Sequence, residues 1–203
     1  AIMNTTFLAF AAASVIVIIS LALIYGERTG KFGLVSKLIS LSTVGYAIPG
    51  AIIAVSMLYF LSGLKTSFGI FGFGTLIVLI YAYNIRFMAT AYSPIKSATD
   101  KLGMNSYETS RLLGLGNLRT FWKVELPVIQ PAILTAMLVA VVEILKELPL
   151  TLILRPFNYE TLSTIAYQYA KNEMVKDASI YSLSIVAISI LPIIFFVKSK
   201  KEK

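Results

Sequence analysis

Long apolar runs separated by short polar segments dominate this chain and predict its architecture. An α-helix needs about 20 predominantly apolar residues to cross a hydrocarbon core roughly 30 Å thick. Five stretches approach or meet that length, so the pattern predicts an all-α membrane protein with five transmembrane helices in a single domain over residues 1–203. The predicted spans cover residues 4–25, 39–61, 70–92, 128–150 and 178–197.

Two polar segments are longer than simple connectors between spans. In the first, residues 93–127, Asn105 is placed to cap a short helix, with Glu108 reaching back to the Asn105 amide and Gly114 as a natural stop. Such a helix beside the membrane is able to lie on lipid or to insert into a groove of a partner protein. In the second, residues 155–176, the apolar runs are too short to cross the membrane, and we expect a short interfacial helix.

The composition agrees with a membrane location and excludes several kinds of chemistry. Hydrophobic residues make up 57% of the chain and charged residues 14%, with a mean hydropathy of +0.80. Soluble domains usually carry about 25% charged residues. The absence of Cys and His excludes disulfides, thiolate chemistry and His-based metal or acid–base sites, and the sequence assigns no metal site.

The net charge of +8 could indicate a nucleic-acid partner, but its distribution favours the lipid bilayer instead. With the N-terminus outside, twelve of the 18 Lys and Arg residues fall on the inside, four on the outside and two within spans. Cytoplasmic loops of membrane proteins carry an excess of such residues. The pattern therefore predicts no nucleic-acid binding, an outside N-terminus, and a cytoplasmic location for the C-terminus and for residues 93–127.

The most informative motif lies in the segment 93–127. It begins Glu108-Thr109-Ser110, reaches Gly114 after three further residues, and ends nine residues later with Val124-Glu125-Leu126-Pro127. This spacing resembles the EAA loop of ABC importer permeases, with the two alanines replaced by other small residues. In that family the loop is the cytoplasmic coupling segment that docks onto the ATP-hydrolysing subunit. The resemblance implies that the coupling residues are Glu108, Thr109, Ser110, Gly114, Leu126 and Pro127.

The fourth predicted span ends in a cluster of ionisable residues. Glu143, Lys146 and Glu147 are spaced to share one helical face. Ionisable groups within a span are costly unless they are paired or face water, so these residues and Arg155 are candidates for a transport pathway. The alternative is structural: Glu143 pairs with Lys146, and Arg155 pairs with Glu147 in the same way.

Two further features lie in the second and third predicted spans. Pro49 and Gly50 predict a bend, which is either a packing kink or a hinge that lines the pathway. Tyr46 is a pathway candidate because phenolate oxygen suits a hard cation. The candidate is weak, because most tyrosines of membrane proteins belong to the interfacial aromatic belt. Arg86 lies about six residues from the cytoplasmic end of its predicted span, and we expect it to snorkel to the inner headgroups.

A longer resemblance covers nearly the whole chain. Five segments of the chain are similar to segments of permeases of ferric-iron, binding-protein-dependent ABC importers. They are Lys146-Glu147-Leu148-Pro149, which leads into Leu154-Arg155-Pro156-Phe157-Asn158, together with Gly45–Gly50, Ile85-Arg86-Phe87 and Thr161-Leu162-Ser163-Thr164. The resemblance implies the MetI-like type I fold in the bacterial inner membrane. It also implies ABC ATPase subunits, a periplasmic solute-binding protein and a second permease half as partners. Full members of that group carry two such halves in one polypeptide, and this chain resembles the second.

The chain lacks a phosphate-binding Gly-x4-Gly-Lys-Ser/Thr stretch. We therefore expect ATP and Mg²⁺ to be used by a partner subunit, and this chain to be neither an enzyme nor a protein that binds a cofactor.

The resemblance implies ferric iron as the solute, and thiamine or a polyamine is the alternative solute within the same class. A secondary transporter or channel that uses Glu143, Lys146 and Arg86 as an ion relay is a different class. Five spans without an internal repeat argue against it. A membrane scaffold leaves the loop spacing unexplained.

Overall fold

The structure, a computed structural model, describes residues 1–29, 44–68, 75–103 and 105–201, and all secondary structure within these ranges is helical. A 3₁₀ turn at Gly45–Ala47 precedes the second helix, and the fifth contains a π-helical segment, Phe121–Glu125. The helices are α1 (Ile2–Arg28), α2 (Gly50–Phe68), α3 (Leu76–Leu102), α4 (Asn105–Leu112), α5 (Asn117–Leu145), α6 (Pro149–Leu154), α7 (Leu162–Lys171) and α8 (Val175–Lys201). The predicted all-α class is confirmed.

Three helices of the described residues are long and apolar enough to cross a membrane, namely α1, α3 and α5. Each has 27 or more residues, and at a rise of about 1.5 Å per residue such a helix exceeds the hydrocarbon thickness. The total of five spans stays a prediction.

The core of the bundle forms where α1, α3 and α5 pack against one another. Its contacts are rich in alanines that are fully buried, including Ala12, Ala13, Ala82 and Ala136. Small side chains let helix backbones approach closely, which matters in lipid because van der Waals packing drives helix association there. Outside this core α2 packs on α6, and α7 packs on α8.

The bend predicted at Pro49 is present, because extended backbone separates the 3₁₀ turn Gly45–Ala47 from α2. Ile48 is extended, as favoured for a residue before proline, and α2 begins only at Gly50. Gly45 passes so close to α3 that a Cβ atom there would lie 1.9 Å from the carbonyl oxygen of Ile85. The predicted second span, residues 39–61, therefore differs from the helix, which continues to Phe68; residues 39–43 lie outside the described residues.

The helix α3 extends ten residues beyond the predicted end of the third span at position 92. Its last turns are polar, and they are held by the ion pair of Lys96 with Asp100 and by the hydroxyl of Thr99 on the Ile95 carbonyl. Arg86 consequently lies about 24 Å from the end of α3 rather than the roughly 9 Å that the sequence suggested. The predicted loop over residues 93–127 is shorter as well, because α3 occupies its beginning and α5 its end.

The fourth predicted span, residues 128–150, is not one helix. α5 ends at Leu145, and α6 starts separately with Pro149 in its first turn. Proline favours the first turn of a helix, while inside a helix its ring would crowd the carbonyl four residues earlier, here that of Leu145. Glu147 therefore lies in the break between two helices. The prediction that it shares a helical face with Glu143 is wrong.

Candidate functional site

The helix α4 stands in the loop that joins α3 to α5, and we call residues 103–116 the α4 loop. Within α4, Glu108 lies in the first turn and is exposed together with Thr109, whereas Ser110 is buried. Leu126 and Pro127, the other predicted coupling residues, lie in α5 just after the π-helical segment. The side chain of Asn105 lies outside the described residues, so its predicted capping role stays a prediction.

The end of α4 has the geometry that its sequence predicts. Gly114 adopts a φ of +83°, a conformation that L side chains rarely adopt. Its N–H donates to the Arg111 carbonyl at 3.0 Å, and the Leu115 N–H donates to the Ser110 carbonyl at 3.1 Å. This pair of bonds is the Schellman motif, which satisfies carbonyls that a helix end would otherwise leave without partners. Gly114 thus fixes where α4 stops.

Just before this stop, at the C-terminal end of α4, the α4 loop presents apolar side chains away from the bundle. Leu112 is 88% exposed and Leu113 is 79% exposed. Leu118 and Trp122, at the start of α5, are more than half exposed as well. On its inner side the loop is anchored by Tyr107, which is buried and whose pKa is raised by that burial. A short helix anchored on one side and apolar on the other is suited to insertion into a groove of a partner.

A buried ion pair lies far from this loop, inside the bundle. Nε of Arg86 is 3.3 Å from Oε2 of Glu147, and the two side chains are 21% and 7% exposed. Arg86 also donates to the Ile48 carbonyl at 3.0 Å, and Glu147 Oε1 accepts from the Leu150 N–H at 3.2 Å. A Cβ atom at Gly50 would lie 2.6 Å from Glu147 Oε1. The pair therefore joins the break before α2, the middle of α3 and the break between α5 and α6.

This geometry overturns two expectations. Arg86 does not snorkel to a headgroup region, because its guanidinium is held by Glu147 and by a backbone carbonyl. Arg155 does not pair with Glu147; it pairs with Glu160 at 2.5 Å and donates to the Tyr159 carbonyl at 3.2 Å.

The remaining pathway candidates are spread over the molecule. Glu143 and Lys146 form the predicted pair, 2.7 Å apart and partly exposed. Tyr46 is about half exposed in the 3₁₀ turn. The structure does not bring the five candidates into one cluster, and their role in a pathway stays a prediction.

Sequence reasoning missed two charged residues at the base of the α4 loop. Arg28, the last residue of α1, lies 3.3 Å from a carboxylate oxygen of Glu125, and the carboxyl-bearing side chain of Glu125 is fully buried. Arg28 entered the sequence argument only as one of the positive charges on the inside. Glu125 stands within the Val-x-Leu-Pro end of the coupling motif, so its position there was the available signal.

These features define a membrane protein of several helices. Its long apolar helices are joined by a buried ion pair, and the short helix α4 ends in exposed apolar side chains suited to docking. The chain belongs to the family of binding-protein-dependent transport system inner membrane components, whose family model matches residues 18–199.

Two known proteins show how far this relationship extends. The chain is 26% identical over 153 residues to the Fe(3+)-transport system permease protein FbpB 2 of Haemophilus influenzae. That match covers 75% of this chain and 29% of the relative, so the chain spans less than a third of the relative's length. A solved structure of the MetNI methionine ABC transporter in inward-facing conformations superposes with a TM-score of 0.72, covering 98% of this chain and 90% of that chain at 18% identity. The latter match shows a shared MetI-like fold.

Proposed function

We propose that this chain is a membrane-spanning half of an ATP-driven importer and that the α4 loop is the surface through which it meets an ATP-hydrolysing subunit. The observation that carries the proposal is the α4 loop itself. It presents Leu112 and Leu113 outwards, carries Glu108 and Thr109 on its exposed side, and is closed by Gly114 in a left-handed conformation. Membership of the family of transport-system membrane components supports the same function.

The proposed mechanism is a change of conformation without covalent chemistry on the solute. ATP and Mg²⁺ are used by the partner subunits, and no bond in the solute is broken by this chain. Closure of two ATPase subunits displaces the α4 loop, and the bundle rocks against a second permease half between inward-open and outward-open states. The α4 loop supplies the interaction that differs between the two states, as any coupling between nucleotide and pathway requires.

The geometry of the pathway candidates favours this mechanism over an ion relay. A relay needs ionisable groups that exchange protons or ions in sequence. Here Arg86 is paired with Glu147, and Lys146 is paired with Glu143. Each charge is neutralised by its neighbour within a static pair, and such pairs stabilise a conformation.

For the solute we propose ferric iron, delivered by a periplasmic binding protein to a transporter in the bacterial inner membrane. The support is the Fe(3+)-transport system permease, which is similar over three quarters of this chain. Thiamine and polyamines are the competing solutes within the class.

Transport by the reconstituted complex tests the proposal. The full-length permease, its ATPase and its binding protein are placed in liposomes, and uptake of radiolabelled ferric iron, thiamine and spermidine is measured with ATP and Mg²⁺. We expect uptake that requires ATP and is selective for iron. ATP-dependent uptake of another solute would overturn the assignment of iron, and uptake without ATP would overturn the importer itself.

A further inference from the structure

The guanidinium of Arg28 contacts the chain on both sides of the α4 loop. Its Nη1 donates to the Gly103 carbonyl at 3.0 Å, and its Nη2 donates to the Thr99 carbonyl at 2.5 Å. Its Nε lies 3.3 Å from Oε1 of Glu125. Thr99 and Gly103 are where the chain leaves α3 to enter the loop, and Glu125 is where it has returned to α5.

The chemistry of this contact suits arginine alone. A guanidinium is a planar fork with several donors, so one side chain can bind two carbonyls and a carboxylate together, whereas a lysine ammonium is a compact point charge. Its positive charge is also favourable beside the carbonyls at the C-terminus of α3. Arg28 is only 9% exposed and Glu125 is fully buried, so water competes little for these contacts.

The neighbouring contacts of α1 each reach one side of the loop: the ring of Tyr25 packs against that of Phe121 in α5, with centroids 5.3 Å apart. Glu27 pairs with Lys96 at 2.8 Å and accepts from the Tyr92 hydroxyl at 3.2 Å, so it ties α1 to α3. These partners belong to α3 and not to α5. Arg28 contacts both ends of the loop through one side chain. Its partner on α5, Glu125, is the last residue of a π-helical segment, a local widening of the helix that often lies at functional sites.

We infer that Arg28 is a positioning residue that closes the α4 loop at its base, so that a displacement of α4 reaches α1, α3 and α5 together. Without it, the two ends of the loop lose this polar connection through α1, and part of the displacement is absorbed by bending between Gly103 and Glu125. The inference rests on the proposed function, because it concerns how movement of the α4 loop is transmitted.

A distance measurement across the loop tests the closure separately from transport. These 203 residues contain no cysteine, so spin labels can be placed through Lys101→Cys and Lys123→Cys, two exposed positions on either side of the loop. Arg28→Gln in the full-length protein is expected to broaden the distribution of distances between the two labels. Lys96→Gln is the matched control, because it removes the ion pairs of Lys96 with Glu27 and with Asp100 without touching any of the three contacts of Arg28.

Transport by the assembled importer measures the functional consequence of substituting Arg28. In the assembled importer we expect Arg28→Gln to retain the ATPase but to move several-fold less solute per ATP hydrolysed, and Arg28→Lys to restore this ratio only in part. The exchange Arg28→Glu with Glu125→Arg keeps opposite charges but removes the donors for Thr99 and Gly103, so it should not restore the ratio. Glu125→Gln, which weakens only one contact, provides a milder variant if Arg28→Gln does not fold.

The outcomes separate this inference from the function on which it rests. An unchanged distance distribution in Arg28→Gln and Glu125→Gln would overturn it, as would equal broadening in Lys96→Gln or full recovery in the charge exchange. Loss of ATPase binding by the unsubstituted protein would overturn the proposed function instead, and the distance measurement would still decide whether Arg28 closes the loop.

Discussion

Arg86 and Glu147 form an ion pair at 3.3 Å that connects the middle of α3 with the break between α5 and α6. Removing one partner leaves the other charge largely buried, a change that costs about 3–5 kcal/mol at fully buried sites. Because Arg86 is partly exposed, we expect Glu147→Gln to lower the free energy of unfolding by an amount near the lower end of that range and to impair solute uptake. Thermal unfolding in detergent and uptake in liposomes measure the two effects.

The pair of Glu143 with Lys146 is the matched control for this prediction. It is more exposed, and such pairs contribute roughly 0–1 kcal/mol. Glu143→Gln should therefore leave the unfolding temperature nearly unchanged. The double variant Arg86→Gln with Glu147→Gln should be less destabilised than the sum of its single variants. Equal effects of Glu147→Gln and Glu143→Gln would show that the buried pair has no special role.

Gly50 leaves the space that this ion pair occupies. A Cβ atom there would stand 2.6 Å from Glu147 Oε1 and 2.8 Å from Arg86 Nη1, whereas a Cβ atom at Gly63 in the same helix would meet nothing within 4 Å. We expect Gly50→Ala to lower the free energy of unfolding by about 1–3 kcal/mol, because overpacking displaces the pair. Gly63→Ala should be neutral or slightly stabilising. If both variants unfold at the same temperature, the crowding at Gly50 is relieved without cost.

Gly114 and Gly116 offer a comparison that isolates backbone conformation. Both are exposed, and a Cβ atom at either would meet no other atom within 4 Å, but only Gly114 has a positive φ. The left-handed conformation costs a residue with a Cβ roughly 1–2 kcal/mol. We expect Gly114→Ala to speed hydrogen exchange in α4 and Gly116→Ala to leave it nearly unchanged. Equal exchange in the two variants would contradict the role of Gly114 as the stop of α4.

Glu160 predicts a dependence of stability on pH at the end of the bundle opposite the α4 loop. Burial tends to raise the pKa of its carboxyl, but hydrogen bonds from Arg155 and Thr164 outweigh that effect and hold the pKa below its usual 4.5. Because the folded state has the lower pKa, the stabilisation is present above pH 4.5 and is lost as the pH falls through the folded value. Thermal unfolding between pH 6 and pH 3, chosen as roughly bracketing this range, should show the loss, and Glu160→Gln should reduce it. The same slope in Glu160→Gln would assign the dependence to other carboxyls.

Local rules predicted much of the α4 loop and little of the ion pairing. The stop at Gly114 and the pair of Glu143 with Lys146 depend on neighbouring residues, so their sequence spacing was sufficient. The predicted end of the third span at position 92 marked where apolar residues become sparse, but the helix continues to Leu102. Because the span was predicted to end at position 92, Arg86 was expected near a headgroup region. In the structure it lies within the bundle, paired with Glu147.

Ion pairs between residues of distant helices could not be predicted from the spacing of residues along the sequence. Arg28 meets Glu125, and Arg86 meets Glu147, only because α1, α3 and α5 pack side by side in a specific register. The break at Pro149 also had to be recognised before Glu147 could be separated from the face that carries Glu143. Proline signalled such a break, but the apolar residues around it favoured one continuous helix.

The most direct test of the central claim is capture of an ATPase by the α4 loop. The full-length permease is expressed with its neighbouring genes and purified in a mild detergent, and the associated ATPase is quantified for the unsubstituted protein, Gly114→Glu and Lys171→Glu. Gly114→Glu places a charged side chain at the stop of α4, and Lys171→Glu introduces a negative charge on the exposed surface of α7. We predict an ATPase that is retained by the unsubstituted protein and by Lys171→Glu and is lost from Gly114→Glu. Equal retention by all three, or no ATPase in any of several detergents, would contradict the assignment of the α4 loop as the coupling surface.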